Sequence, residues 1–136
     1  MYKKIIVPVD ITQIEKGEKI LRSAASLLYK GGTIILLNVV EDVPGYLVSD
    51  YTTEMMVEAR QKADTALIDL RGKLGVEAEI EIRQGSPARE ILAAAEQHGA
   101  DLVIVASHVP DLSNYFIGAT ADRVVRHAKC SVLIDR

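Results

Sequence analysis

The chain predicts a doubly wound parallel α/β fold, and three observations carry that prediction. Short runs rich in Val, Ile and Leu alternate with helical patterns along the whole length, in the order β-α-β-α-β-α-β-α-β. Four of the five runs are apolar at consecutive positions, as strands covered by helices on both faces must be. Glycines stand where the first three helical patterns end, at Gly31-Gly32, Gly75 and Gly99, where a left-handed backbone closes a helix at little cost.

The first strand is expected over Lys4 to Val9 and the second over Thr33 to Val40. Between them, Ile14 to Tyr29 places Ile20, Leu21, Ala24, Leu27 and Leu28 on one stripe of a helix, with Gly31-Gly32 as its stop. Glu54 to Leu74 is a longer amphipathic pattern that turns Met55, Ala59, Ala66, Leu67 and Leu70 inward. The third strand, Ala78 to Arg83, is different in kind. Glu77-Ala78-Glu79-Ile80-Glu81-Ile82-Arg83 alternates charged with apolar residues, the pattern of an edge strand with one wet face. Pro87 to His98 follows, with Ser86 as a candidate cap and Pro87 fitting the first helical turn. Asp101 to Ala106 is the fourth strand, Thr120 to His127 the last helix and Ser131 to Ile134 the last strand.

A length of 136 residues suits one domain, 1–136, around one core. Hydrophobic residues make up 49% and charged residues 26%, a balance that excludes disordered and membrane-embedded classes. The net charge of −3 supplies no surplus of Lys and Arg for a phosphate backbone, so nucleic acid is not an expected partner. Cys130 is the only cysteine, which excludes an internal disulfide and fits a reducing compartment. The apolar run Ile5-Ile6-Val7 is cut by Pro8 and Asp10, too early for a signal-peptide core. No segment approaches the roughly 20 apolar residues that span a bilayer. The expected location is therefore the cytoplasm, away from membranes.

Sheets of this class bind ligands beyond the carboxyl ends of their strands, where the strand order reverses. The segments to search are Asp10 to Thr12, Val39 to Asp42, Gly85-Ser86 and Ser107 to Thr120. At the end of the first strand, the Asp10 carboxylate can accept hydrogen bonds from a ribose hydroxyl pair; it can equally cap the helix that follows. Gly118 allows a close backbone approach, while Ala119 and Thr120 open the last helix with free N–H groups and a hydroxyl, a geometry that holds anions. The signal is a common one, since most strand-to-helix junctions end in a small residue. His108 can hydrogen-bond a phosphate oxygen or carry a proton near neutral pH. A loop histidine with no Cys, His or acid at ligand spacing is more often solvated or packed. His98 and His127 sit near helix C-termini, where a partial positive charge is favourable on structural grounds. Cys130, entering the last strand, reads as a small buried thiol, with His127 the one candidate to activate it. GxxxxGK[ST], HExxH, CxxC and GxSxG are all absent, so P-loop, zinc-hydrolase, thioredoxin-like and α/β-hydrolase chemistries lack their carriers.

Taken together these segments resemble the universal stress protein family along essentially the whole chain. The resemblance rests on Tyr2-Lys3-Lys4-Ile5-Ile6-Val7-Pro8-Val9-Asp10, Ile35-Leu36-Leu37-Asn38-Val39-Val40, and Gly85-Ser86-Pro87 leading to Glu90-Ile91. It continues through Ala100-Asp101-Leu102-Val103-Ile104-Val105-Ala106-Ser107-His108 and the run from Gly118 to Leu133. It implies a Rossmann-like sheet of the adenine nucleotide alpha hydrolase type, with strand order 3-2-1-4-5. The nucleotide-binding branch carries Gly, two residues, Gly, nine residues, Gly, then Ser or Thr. Here Ala106 and Val109 hold the first two glycine positions, eight residues separate Val109 from Gly118, and Ala119 replaces the hydroxyl residue. The shortened loop is similar to that of a short bacterial branch, which is also credited with binding ATP.

By the resemblance, Pro8, Val9, Asp10 and Val39 line an adenosine pocket with Asp10 on the ribose, and the backbone of Val105 and Ala106 lies near the base. Ser107, His108, Gly118, Ala119 and Thr120 face the phosphates. The resemblance implies ATP, with or without magnesium or manganese, and a homodimer through the last strand, Ser131 to Asp135, acting with a protein partner of unknown identity. An unpaired apolar edge independently invites a second copy. The leading expectation is a dimeric ATP-binding stress-response regulator. Neither a catalytic base nor a lysine in the phosphate loop is evident, so at most slow hydrolysis or self-phosphorylation is expected. The alternative is an interaction scaffold of the same fold that has lost nucleotide binding, in keeping with Ala106, Val109 and Ala119. A third reading, a hydrolase or transferase using His108, needs an acid beside it, and Asp111 is the one acid nearby in sequence.

Overall fold

Side chains along a strand alternate between its two faces, so a strand apolar at every position feeds two cores at once. The computed structural model, which describes residues 1–42, 45–46, 53–107 and 118–136, shows this arrangement in five parallel strands. They are β1 (Tyr2–Pro8), β2 (Leu28–Val40), β3 (Glu79–Gln84), β4 (Leu102–Ala106) and β5 (Ser131–Asp135), standing in the order β3-β2-β1-β4-β5. Ile5 and Val7 of β1, Ile34 and Leu36 of β2, and Leu102 and Ile104 of β4 face one core. Ile6, Ile35, Leu37, Val103 and Val105 face the other.

Four helices cover the faces: α1 (Ile14–Leu27), α2 (Thr53–Leu74), α3 (Pro87–His98) and α4 (Ala119–His127). Ile20, Leu21 and Ala24 of α1 join Leu67 and Leu70 of α2 in the first core. Ala88, Ile91, Ala94 and Ala95 of α3 join Ala121 and Val124 of α4 in the second. This division follows from handedness. The chain steps from β1 outward through β2 to β3, then crosses β1 to continue through β4 to β5. Right-handed crossovers in the two directions must lie on opposite faces. The order reverses between β1 and β4, and a crevice opens beyond their carboxyl ends.

Three local expectations are corrected. The first helix ends at Leu27, and Leu28 and Tyr29 already belong to β2, so Gly31-Gly32 is not a helix stop. The pairing of β1 with β2 jumps there from Tyr2 opposite Leu28 to Lys4 opposite Thr33. Gly31 takes φ of 86° inside that jump, and a Cβ on Gly32 would lie 2.7 Å from the Lys3 carbonyl oxygen. The two glycines thus serve an irregularity in the sheet. In α2, Met55 is 46% exposed and Ala63 is buried in its place. Ser86 is the N-cap of α3, but its hydroxyl makes no capping bond; its carbonyl accepts the Glu90 N–H at 2.9 Å.

The charged strand is at the edge, as its alternation predicts. Arg83 ties it to α3 by donating to Glu90 at 3.0 Å and Gln97 at 3.0 Å, and His98 meets Glu81 at 2.9 Å. Among the described residues no helix is long and apolar enough to cross a membrane.

Candidate functional site

A proline has no N–H to continue a ladder, and β1 ends at Pro8. Backbone pairing resumes one residue later, where the Val9 N–H donates to the Leu37 carbonyl at 2.8 Å. The Asn38 side chain then takes over: its Nδ2 donates to the Val9 carbonyl at 2.8 Å, in a site where Asn38 is 7% exposed. Two hydrogen bonds therefore fix the backbone just before Asp10, and the chain turns upward with that carboxylate at the rim of the crevice.

Asp10 is exposed and caps a short 3-10 turn over Ile11–Gln13. Its Oδ1 accepts from the Thr12 N–H at 2.9 Å and the Thr12 hydroxyl at 2.6 Å. The capping role is thus filled by one oxygen, and the second has no hydrogen-bond partner among the described residues.

Close approach of α1 sets the next wall. A Cβ on Gly17 would lie 2.6 Å from Val9 Cγ1, so the absence of a side chain lets the helix rest on the strand end. Lys16, one residue earlier, reaches across the mouth and donates from Nζ to the Ser107 carbonyl at 2.7 Å. Ser107 is 9% exposed, and its N–H donates to the Asp135 carbonyl of β5 at 2.8 Å. On the far side α4 begins. Gly118 is its N-cap, buried, with φ of 90° and ψ of 150°, and its carbonyl accepts the Asp122 N–H at 2.9 Å. Gly118 has no side chain with which to cap this end, and the first N–H groups of a helix have no partner within it.

These elements enclose a cavity of about 500 Å³, within the range of small-ligand sites. Of the residues singled out from sequence, Pro8, Val9, Asp10, Val39, Val105, Ala106 and Thr120 line it. Ser107, Gly118 and Ala119 do not line it, and His108 is outside the described residues together with Val109 and Asp111. Sequence reasoning missed Lys16, Asn38 and Lys62, which also line the cavity, along with Ala59, Ala63, Pro87 and Ile91. Gly17, in the first turn of α1, is the one sequence signal that this helix is pressed against the strand ends. The walls carry two carboxylates, Asp10 and Glu41, and two ammonium groups, Lys16 and Lys62, around an apolar slot.

Cys130 lies outside this cavity. Burial pushes its thiol above the ordinary value, with the Asp101 charge adding to the effect, so the sulfur stays protonated and poorly nucleophilic. Among the described residues no group of three or more His, Cys, Asp or Glu side chains is placed to hold a metal ion.

A model of the universal stress protein family matches residues 1–136. The chain is 30% identical over 142 residues to universal stress protein G of Shigella flexneri, with 100% of each chain covered. Among solved structures, the universal stress protein UspA from Lactobacillus plantarum superposes with a TM-score of 0.76 at 24% identity, covering 99% of this chain and 98% of that one. Two more distant structures share the fold and were solved with ligands. One is a universal stress protein in complex with cAMP, at a TM-score of 0.58 and 17% identity, covering 99% and 97%. The other is the Archaeoglobus fulgidus universal stress protein in complex with dAMP, at 0.61 and 18%, covering 99% and 98%.

Proposed function

The chain belongs to the universal stress protein family, and from that premise we propose that it binds an adenine nucleotide, ATP foremost, and that occupancy governs how its homodimer engages a protein partner. The cavity at the reversal of strand order carries this reading. Its apolar slot between Val39 and Val105 suits a flat base, the open oxygen of Asp10 suits ribose hydroxyls, and the start of α4 at Gly118 to Thr120 suits phosphate. Structures of the same fold hold cAMP and dAMP, both adenine nucleotides. Slow hydrolysis or self-phosphorylation is the most turnover the reading includes. The cytoplasm, where ATP is plentiful, is the compartment it requires.

The proposed homodimer pairs through β5. Leu133 is 39% exposed on that edge, whereas the opposite edge strand presents Glu79, Glu81 and Arg83. An apolar edge invites a second copy and a charged one repels it.

Calorimetric titration with ATP, with and without magnesium or manganese, tests the nucleotide. Saturable binding is expected, and Asp10→Ala is expected to weaken it roughly 5- to 50-fold, the loss of one or two hydrogen bonds to a charged group at about 1–2.5 kcal/mol. The absence of saturable binding at millimolar ATP would transfer the argument to the scaffold reading, which the alanines at positions 106 and 119 favour.

A further inference from the structure

We propose that Lys16 makes this pocket discriminate a phosphorylated nucleotide from the bare nucleoside, by leaving the Ser107 carbonyl for a phosphate oxygen when the ligand carries one. The inference rests on the nucleotide reading above and adds to it a residue from α1, an element outside the phosphate loop.

The observation is a mismatch between charge and partner. Lys16 Nζ sits 2.7 Å from the Ser107 carbonyl oxygen, in a part-buried position, and among the described residues no carboxylate pairs with it. Its neighbour Lys19 pairs with Asp135 at 3.2 Å, and Lys73 pairs with Glu18 at 3.0 Å. An ammonium group has three N–H donors and a full charge, and a single neutral carbonyl satisfies one donor and compensates none of the charge. Partial burial in a cavity wall makes an uncompensated charge costly, and an anion is what relieves it.

The position supplies the second half of the argument. Lys16 lines the same cavity as Ala106 and as Thr120, the second residue of α4. A phosphate placed there meets the first-turn N–H groups of α4 on one side and Lys16 on the other. The exchange is favourable because a phosphate oxygen brings a negative charge that the neutral carbonyl lacks, adding charge attraction to the hydrogen bond. Adenosine offers no such oxygen, so Lys16 stays on Ser107 and contributes nothing to its binding.

Lys16→Met keeps the aliphatic stem and removes the charge, and Lys16→Arg restores the charge. Affinities of the unaltered protein and both variants for ATP, AMP and adenosine are measured by calorimetry at low and high salt. The expected result is a loss of about tenfold or more for ATP in Lys16→Met, a shallower salt dependence, adenosine affinity within about twofold of the unaltered protein, and recovery of ATP binding in Lys16→Arg. Adenosine binding also reports that the variant is folded. Equal losses for ATP and adenosine would overturn the proposal by making Lys16 a support for the wall, as would unchanged ATP affinity. If the unaltered protein binds neither ligand, the nucleotide reading itself fails and this inference with it.

Discussion

Asp101 commits both carboxylate oxygens to the backbone of the first strand, accepting from the Lys3 and Lys4 N–H groups at 2.9 Å each, while its own N–H donates to the Lys4 carbonyl at 3.0 Å. Burial pushes this carboxyl upward, but the two backbone N–H bonds outweigh it and hold the group below its ordinary value of 3.8. A carboxyl whose folded value is depressed stabilises the fold fully above the unfolded value and loses that contribution as pH falls through the folded one. Asp101→Asn is therefore expected to lower stability at pH 7, by about 1–2 kcal/mol for two surface-side hydrogen bonds, and the gap to the unaltered protein should close below about pH 4. Urea midpoints taken across that range read the gap directly. In sequence the aspartate reads as the first residue of the fourth strand; its role is not legible there, because its partners lie 97 and 98 positions away. Lys16 and Asn38 were hidden for the same reason. A lysine on an amphipathic helix looks solvated, and an asparagine inside Ile35 to Val40 is masked by its apolar neighbours until the Val9 carbonyl is placed 2.8 Å from it.

Periodicity fixes which stretches become elements, and contact between elements fixes where they stop. The charged alternation of β3 placed that strand at an edge because one of its faces must stay wet. The end of α1 was misread by two residues since Leu28 and Tyr29 fit a helical stripe as well as a strand, and the pairing of Leu28 with Tyr2 decides between them. Gly17 carries the element-scale prediction. Alanine is favoured over glycine inside a helix by about 1 kcal/mol, yet a methyl group here would sit 2.6 Å from the stiff, branched side chain of Val9. Overpacking of that kind costs about 1–3 kcal/mol, so Gly17→Ala is expected to destabilise by about 1 kcal/mol net. A denaturation midpoint equal to or above that of the unaltered protein would mean that α1 slides away from the strand end without loss.

For the whole molecule, strand order, the division of helices between faces and the position of the crevice all follow from β-α alternation and crossover handedness, which is why the sheet was legible and its loops were not. The site was legible where it is built from strand ends, at Pro8, Asp10, Val39 and Val105. The wall contributed by α1 and α2 arises only when the helices are laid across the sheet. Leu133→Lys tests the assembly: a charge on the apolar edge is expected to turn a dimer into a monomer in light scattering, with little change in melting temperature. Ser107 gives that experiment a second reading. Its N–H is held by β5 and its carbonyl by Lys16, so two peptide planes that meet at one Cα join the proposed assembly edge to the ligand mouth. A ligand that draws Lys16 away changes what holds this residue on one side while β5 holds it on the other, and coupling between two binding equilibria is reciprocal. If ATP tightens or loosens the dimer by some factor, the Leu133→Lys monomer must bind ATP more weakly or more tightly than the dimer by a factor of the same origin. The protein would then count its own copies through the affinity it shows for its ligand.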